Sequence, residues 1–282
     1  MIVPEVQHSW LPSFTIISPE IQERVKTVAL KCFKEFSFSL CLKFVISSFV
    51  VSSAGLSLLF NTILIQLAVS TVLHSIGEFA DYKAEQNQNA PSLYQSTPSL
   101  TGWLSAFNLG LLTGYDAQNL IHELGHTITS TFLYKNPRPI IEVYPLIGGL
   151  TQFYKSGLSN LGKSIGPSST TFLIFAAGPG LTLVISTALL SIGIAMRKEY
   201  PNLYRYLVTW SIIDFLHHVH YAYSAIAADK WNLLHDFVHL SIFGVDPLTT
   251  CIGILAIPVI VGVSMYFKET YLDAPTPVAC KK

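Results

Sequence analysis

The chain has 282 residues, of which 50% are hydrophobic and 12% charged, with 17 Lys+Arg balancing 17 Asp+Glu. Soluble domains carry about 25% charged residues, so the composition argues against a soluble protein and for a bundle of membrane helices. The zero net charge leaves no footprint for nucleic acid or an acidic partner.

The first 20 residues hold Pro4, Glu5, Pro12, Pro19 and Glu20. They lack the basic start and apolar core of a cleavable signal, so insertion is expected to use internal segments. Residues 18–36 read as an amphipathic helix. Ser18-Pro19-Glu20 supplies a cap, a first-turn proline and an early acid, and Ile21, Val25, Val28 and Cys32 recur at helical spacing among basic residues. Such a helix suits either a membrane surface or a solvated lead-in to the first span. Ser39 to Leu73 then carries one charge, Lys43. One span needs about 20 residues and two need about 40. The run is read as a tight helical hairpin broken at Gly55, with one long tilted helix as the alternative.

His74 reads as an interfacial residue. Residues 78–100, with Asn87, Asn89, Pro91 and Pro98, read as a polar connecting loop. Leu104 to Leu112 is apolar but too short to span, as an interfacial or re-entrant piece would be. Asp116 to Tyr134 is the next helix, stopped by Asn136-Pro137. Ile140, Ile141, Val143 and Tyr144 then favour strand. With Pro145, Gly148-Gly149 and Leu150-Thr151-Gln152-Phe153 they predict a short β-hairpin over 140–153. Apolar segments follow at 171–196, 203–227 and 247–267, with a polar stretch at 228–239. The expected fold is an all-α polytopic membrane protein of five or six spans, with one β-hairpin.

The chemistry concentrates in His122-Glu123-Leu124-Gly125-His126. On a helix, positions i and i+4 share a face one turn apart. Two imidazoles so placed can hold one Zn2+, and the intervening glutamate can act on a water that the metal activates. Charged groups inside a membrane helix are costly and mark function. Gly125 would let another backbone approach closely. A catalytic zinc takes three protein ligands and keeps one open position. The downstream carboxylates Asp214, Asp229 and Asp236 are all candidates, and spacing does not choose among them. His235 and His239 also stand at i and i+4. His217, His218 and His220 read as lining the bundle interior. Cys32, Cys41, Cys251 and Cys280 have neither metal nor redox spacing, and no disulfide is expected.

With HELGH at 122–126, Gly148-Gly149-Leu150-Thr151 and Ala177-Gly178-Pro179, the chain resembles the site-2 protease family of intramembrane zinc metalloproteases in its small bacterial form. The likeness covers roughly residues 115–250. It implies His122, His126 and a late aspartate as zinc ligands. Asp236, with Leu240 and Gly244-Val245-Asp246-Pro247, fits that aspartate best. Phe237 stands where many members have glycine, and no Asn-x-x-Pro precedes the aspartate. The resemblance further implies Glu123 as general base and single-span membrane proteins as substrates, cut within or near their spans. It also implies a multi-pass location in a bacterial inner membrane. Gly148, Gly149 and Thr151 would offer a strand edge to an unwound substrate, and Gly178 and Pro179 would line the site. The domain reading is an N-terminal part at 1–100, a metalloprotease core at 101–270 and a tail at 271–282. A non-proteolytic membrane protein that uses the same polar helix for metal binding or transport is the competing class. Glu123 has no clear role in that class.

Overall fold

Serine, proline and an early acid start the first helix as their chemistry dictates. Ser18 Oγ accepts the Ile21 N–H and Pro19 takes the first helical position of α1, Pro19–Ser47. This computed structural model describes residues 18–87, 91–228 and 234–268. The signal reading at 1–20 (but for 18–20), Cys280, Asp229 and the tail at 271–282 lie outside them.

Residues 48–52 turn the chain into α2, Ser53–Gln86, which Ser52 caps by accepting the Gly55 N–H. The expected hairpin is therefore present, but Gly55 sits inside the first turn of α2 rather than at the break. A Cβ there would stand 2.8 Å from Val50 Cγ1 and 3.6 Å from Pro145 Cδ. The crowding is with Val50, so glycine here lets the turn itself close tightly. The expected connector at 78–100 is mostly helix. α2 runs to Gln86, and α3, Ser92–Leu109, begins six residues later. Polar residues there are the solvated ends of two long helices, not a loop.

From Ser92 to Leu133 the helical backbone is continuous. α3 passes through a π-helical turn, Gly110–Gly114, into α4, Tyr115–Leu133. The apolar piece at 104–112 is thus neither re-entrant nor separate. The turn fits against α7, Pro201–Ser224. A Cβ at Gly110 would stand 2.9 Å from Ile213 Cδ1, and one at Gly114 3.1 Å from Trp210 Cδ2. Such turns often mark functional segments, and this one leads directly into the helix carrying HELGH.

The β-hairpin forms as expected. β1, Ile140–Tyr144, pairs antiparallel with β2, Gly148–Gln152, with Val143 opposite Gly149 and Ile141 opposite Thr151. Short α5, Asn160–Ile165, precedes α6, Pro167–Met196. After α7 come α8, Asp236–Ile242, and α9, Pro247–Phe267. Gly244, at φ 88°, ends α8, and Asp246 Oδ2 caps α9 by accepting the Thr249 N–H at 2.7 Å.

Among the described residues, three helices are long and apolar enough to cross a membrane: α2, α6 and α9. This is fewer than the five or six expected. The helix α4 is 19 residues long and carries Asp116, His122, Glu123 and His126, while α7 carries Arg205, Asp214 and three histidines. These polar residues lower the hydropathy of both helices; Asp116, Glu123, His126, Asp214 and His218 are buried, whereas His220 is exposed. The protein is accordingly mostly helical, with three apolar helices consistent with an integral membrane protein.

Two apolar cores hold the site from either side. Ile46, Leu59, Ala117, Leu120 and Val143 join the α1–α2 hairpin to α4 and β1. Leu190, Phe215, Ala222, Phe237, Leu240, Cys251 and Ile254 join α6 to α9. A buried polar cluster joins α1, α2, α3 and α7. His74 is buried, and its Nε2–H donates to the buried Glu35 Oε1 at 2.8 Å. Ser105 Oγ and Tyr206 OH also donate to Glu35.

Candidate metal centre

The spacing of His122 and His126 puts both imidazoles on one face of α4, and α6 closes over that face. Close approach depends on two glycines. A Cβ at Gly125 would stand 2.8 Å from the Ala177 carbonyl carbon and 3.0 Å from Gly178 Cα. A Cβ at Gly178 would stand 2.6 Å from His122 Nε2. Pro179, next in α6, cannot donate to the Phe175 carbonyl. One residue before that carbonyl, the Ile174 C=O accepts the His126 Nδ1–H at 2.7 Å. This bond fixes the tautomer and leaves Nε2 of His126 free to bind a metal.

Asp236 reaches the imidazoles from the first position of α8, 110 residues after His126 in sequence. Its Oδ2 lies 2.8 Å from His122 Nε2 and 3.3 Å from His126 Nε2, and the two nitrogens are 3.1 Å apart. Ligand atoms around tetrahedral zinc with bonds of about 2.0–2.1 Å are separated by about 3.3 Å. The donor set of two imidazoles and one carboxylate suits Zn2+. The three atoms form a buried group that could hold a metal ion. Tyr221 steadies Asp236, accepting its backbone N–H at 3.0 Å.

Asp214 lies away from the two imidazoles. Asp214 accepts from Ser186 Oγ at 2.7 Å and pairs with His218 Nδ1 at 3.2 Å. Asp229 is outside the described residues. His218 is buried and bonded to Thr182 Oγ1 at 3.0 Å, which suits a lining role. His217 packs edge-on against Tyr115 at 5.0 Å. His235 Nε2 meets Ser224 Oγ at 2.9 Å, whereas His239 stacks on Phe175 at 3.8 Å. The two do not form a second metal pair.

Glu123 points to β2. Thr151 Oγ1 lies within 2.7 Å of Glu123 Oε2 and 3.0 Å of its backbone carbonyl. Gly149 leaves the space the carboxylate occupies, since a Cβ there would stand 2.5 Å from Glu123 Cγ. Gly149 and Thr151, the residues expected to offer a strand edge to substrate, hold Glu123 in the fold. Gly178 and Pro179 are buried in α6, and Gly178 packs on the imidazoles instead of facing open space. Gly148 lies at the hairpin turn.

The outer edge of β2 can be read from the ladder. The Val143 N–H bonds outside the hairpin, to the Phe49 carbonyl at 2.8 Å. Val143–Gly149 is therefore a non-hydrogen-bonded pair, and so is Ile141–Thr151 two residues on. The N–H and C=O groups of Gly149 and Thr151 consequently point away from β1. Both residues line a cavity of about 410 Å³ together with His122, Glu123, His126, Tyr221 and Asp236. The sequence carried no sign of the Ile174 carbonyl or of Tyr221, because both act through tertiary contacts. Compared with known proteins, the chain matches no family profile, no curated protein and no solved structure.

Proposed function

We propose that the chain is a multi-pass intramembrane zinc metalloprotease similar in type to the site-2 proteases. One observation carries the reading: the convergence of His122 Nε2, His126 Nε2 and Asp236 Oδ2 beside a glutamate held on a strand edge. His122, His126 and Asp236 would hold Zn2+, which when bound polarises a scissile carbonyl and acidifies a water. Glu123 accepts the proton of the attacking water and passes it to the leaving amine. Thr151 orients the carboxylate for both transfers. The Gly149 and Thr151 backbone groups pair with an unwound substrate segment and lay its peptide bond along the cavity. Single-span membrane proteins fit this arrangement, because their helices must open locally before an edge strand can accept them. α2, α6 and α9 span the bilayer, and α4 and α7 lie within the bundle at the same depth.

Purified protein incubated with a generic single-span substrate tests the proposal. Cleavage is expected, with loss on chelation and recovery with zinc. Glu123→Gln keeps the side-chain size and is expected to retain zinc while losing activity by about two to four orders of magnitude. Full activity in that variant, or no zinc in the wild type, overturns the reading. Zinc retention with no cleavage of any substrate favours a metal-binding or transport protein.

A further inference from the structure

A second cavity, of about 570 Å³, lies apart from the metal centre at the other side of the π-helical turn. It is a cleft between α1 and α7, floored by α2 and α3. At its closed end Tyr206 of α7 donates to Glu35 of α1, and Trp210 meets Phe38 edge-on at 6.2 Å. Phe38 and Leu203 give the cleft apolar wall that is exposed at the protein's outer surface. Cavities of this size with apolar walls and a few convergent polar groups are typical ligand sites.

The mouth carries both signs of charge. Lys31 is already paired with Glu78 at 2.6 Å. Lys34 and Arg205, the latter donating to Asn202 Oδ1 at 3.2 Å, also line the cleft, with Asp81 and Glu199 as anions. Asp81 stands beyond the uncharged part of α2, Ser53 to Gly77, at the polar end of an apolar helix. An anionic headgroup would meet two carboxylates there. A choline headgroup has no N–H to give them. A headgroup with a phosphate and a primary ammonium matches both pairs. We propose that this cleft binds one bilayer phospholipid of the phosphatidylethanolamine class. Its phosphate lies at Lys34 and Arg205, its ammonium at Asp81 and Glu199, and its chains follow the apolar walls outward. The proposal does not depend on the proteolytic reading.

Native mass spectrometry of the detergent-purified protein, titrated separately with phosphatidylethanolamine, phosphatidylcholine and phosphatidylglycerol, tests it. The expected result is one retained phosphatidylethanolamine, bound at least about tenfold more tightly than either competitor. Asp81→Asn with Glu199→Gln is expected to erase the preference over phosphatidylcholine. Lys34→Ala with Arg205→Ala is expected to weaken all three lipids. Asp81, Glu199 and Lys34 are exposed, so these changes leave the core intact, and His122→Ala serves as a control that keeps lipid binding. Equal retention of the three lipids, an unchanged preference in the carboxylate variant, or displacement by free glycerophosphoethanolamine at the same concentration overturns the proposal.

Discussion

Small side chains decide the metal centre as much as the ligands do. Gly178 leaves room for both imidazoles, and any Cβ would stand 2.6 Å from His122 Nε2. Gly178→Ala is therefore expected to lose stoichiometric zinc although no ligand is touched. Metal analysis of the purified variant checks this, and one zinc per chain would show that α6 can shift to accommodate the methyl. Thr151 acts on Glu123 instead. Its hydroxyl hydrogen bonds to a carboxylate, an interaction worth about 1.5–3 kcal/mol. Thr151→Val, nearly the same shape, is expected to lower kcat about 10–100-fold with KM and zinc content unchanged. A rise in KM without a fall in kcat would place Thr151 on the substrate rather than on Glu123.

Among elements, the N-terminal helical hairpin holds the β-hairpin in place. Lys43 of α1 and Asp116 of α4 are wholly buried and 3.6 Å apart. Lys43 Nζ also donates to Thr62 Oγ1 and to the Leu59 carbonyl. Asp116 Oδ1 accepts the N–H of Leu146 at 2.8 Å, in the turn between β1 and β2, where Leu146 adopts φ 59°. Removing one member of a buried pair leaves the other charge uncompensated, at a cost of about 3–5 kcal/mol. Lys43→Met is thus expected to destabilise strongly. Adding Asp116→Asn removes the stranded charge and keeps an acceptor for Leu146, so the double variant is expected to recover most of the loss. Thermal unfolding of the two variants in one detergent measures the coupling. Additive losses would mean that the pair does not interact.

For the molecule as a whole, a metal held by His122, His126 and Asp236 would tie α4 to α8, two segments more than 100 residues apart, and would bind the folded state alone. Zinc at about 100 times its Kd then adds about 2.7 kcal/mol. The expected outcome is a zinc-dependent rise in Tm for the wild type and none for His126→Ala. Equal rises in both would place the stabilising ion at another site.

HELGH was legible in the sequence because its chemistry is local: i and i+4 meet on any α-helix, whatever surrounds it. The β-hairpin was legible for the same reason, since β-branched residues, Pro145 and Gly148-Gly149 act over neighbouring positions. The three most apolar spans followed from composition. Long-range pairings were not legible. Polar residues at 78–86 and 92–100 looked like a loop because sequence does not show that they end long helices. The buried pairing of His74 with Glu35 was hidden because the two lie 39 positions apart. Asp214, Asp229 and Asp236 had equal standing by spacing, and only resemblance ranked them. Among the described residues, tertiary packing brings Asp236 to the imidazoles and turns Asp214 toward Ser186 and His218. It also sets Thr151 and Gly149 against Glu123. A helix fixes what lies one turn away, whereas the meeting of α4, α6, α8 and β2 depends on which faces can bury together and leave no charge unpaired.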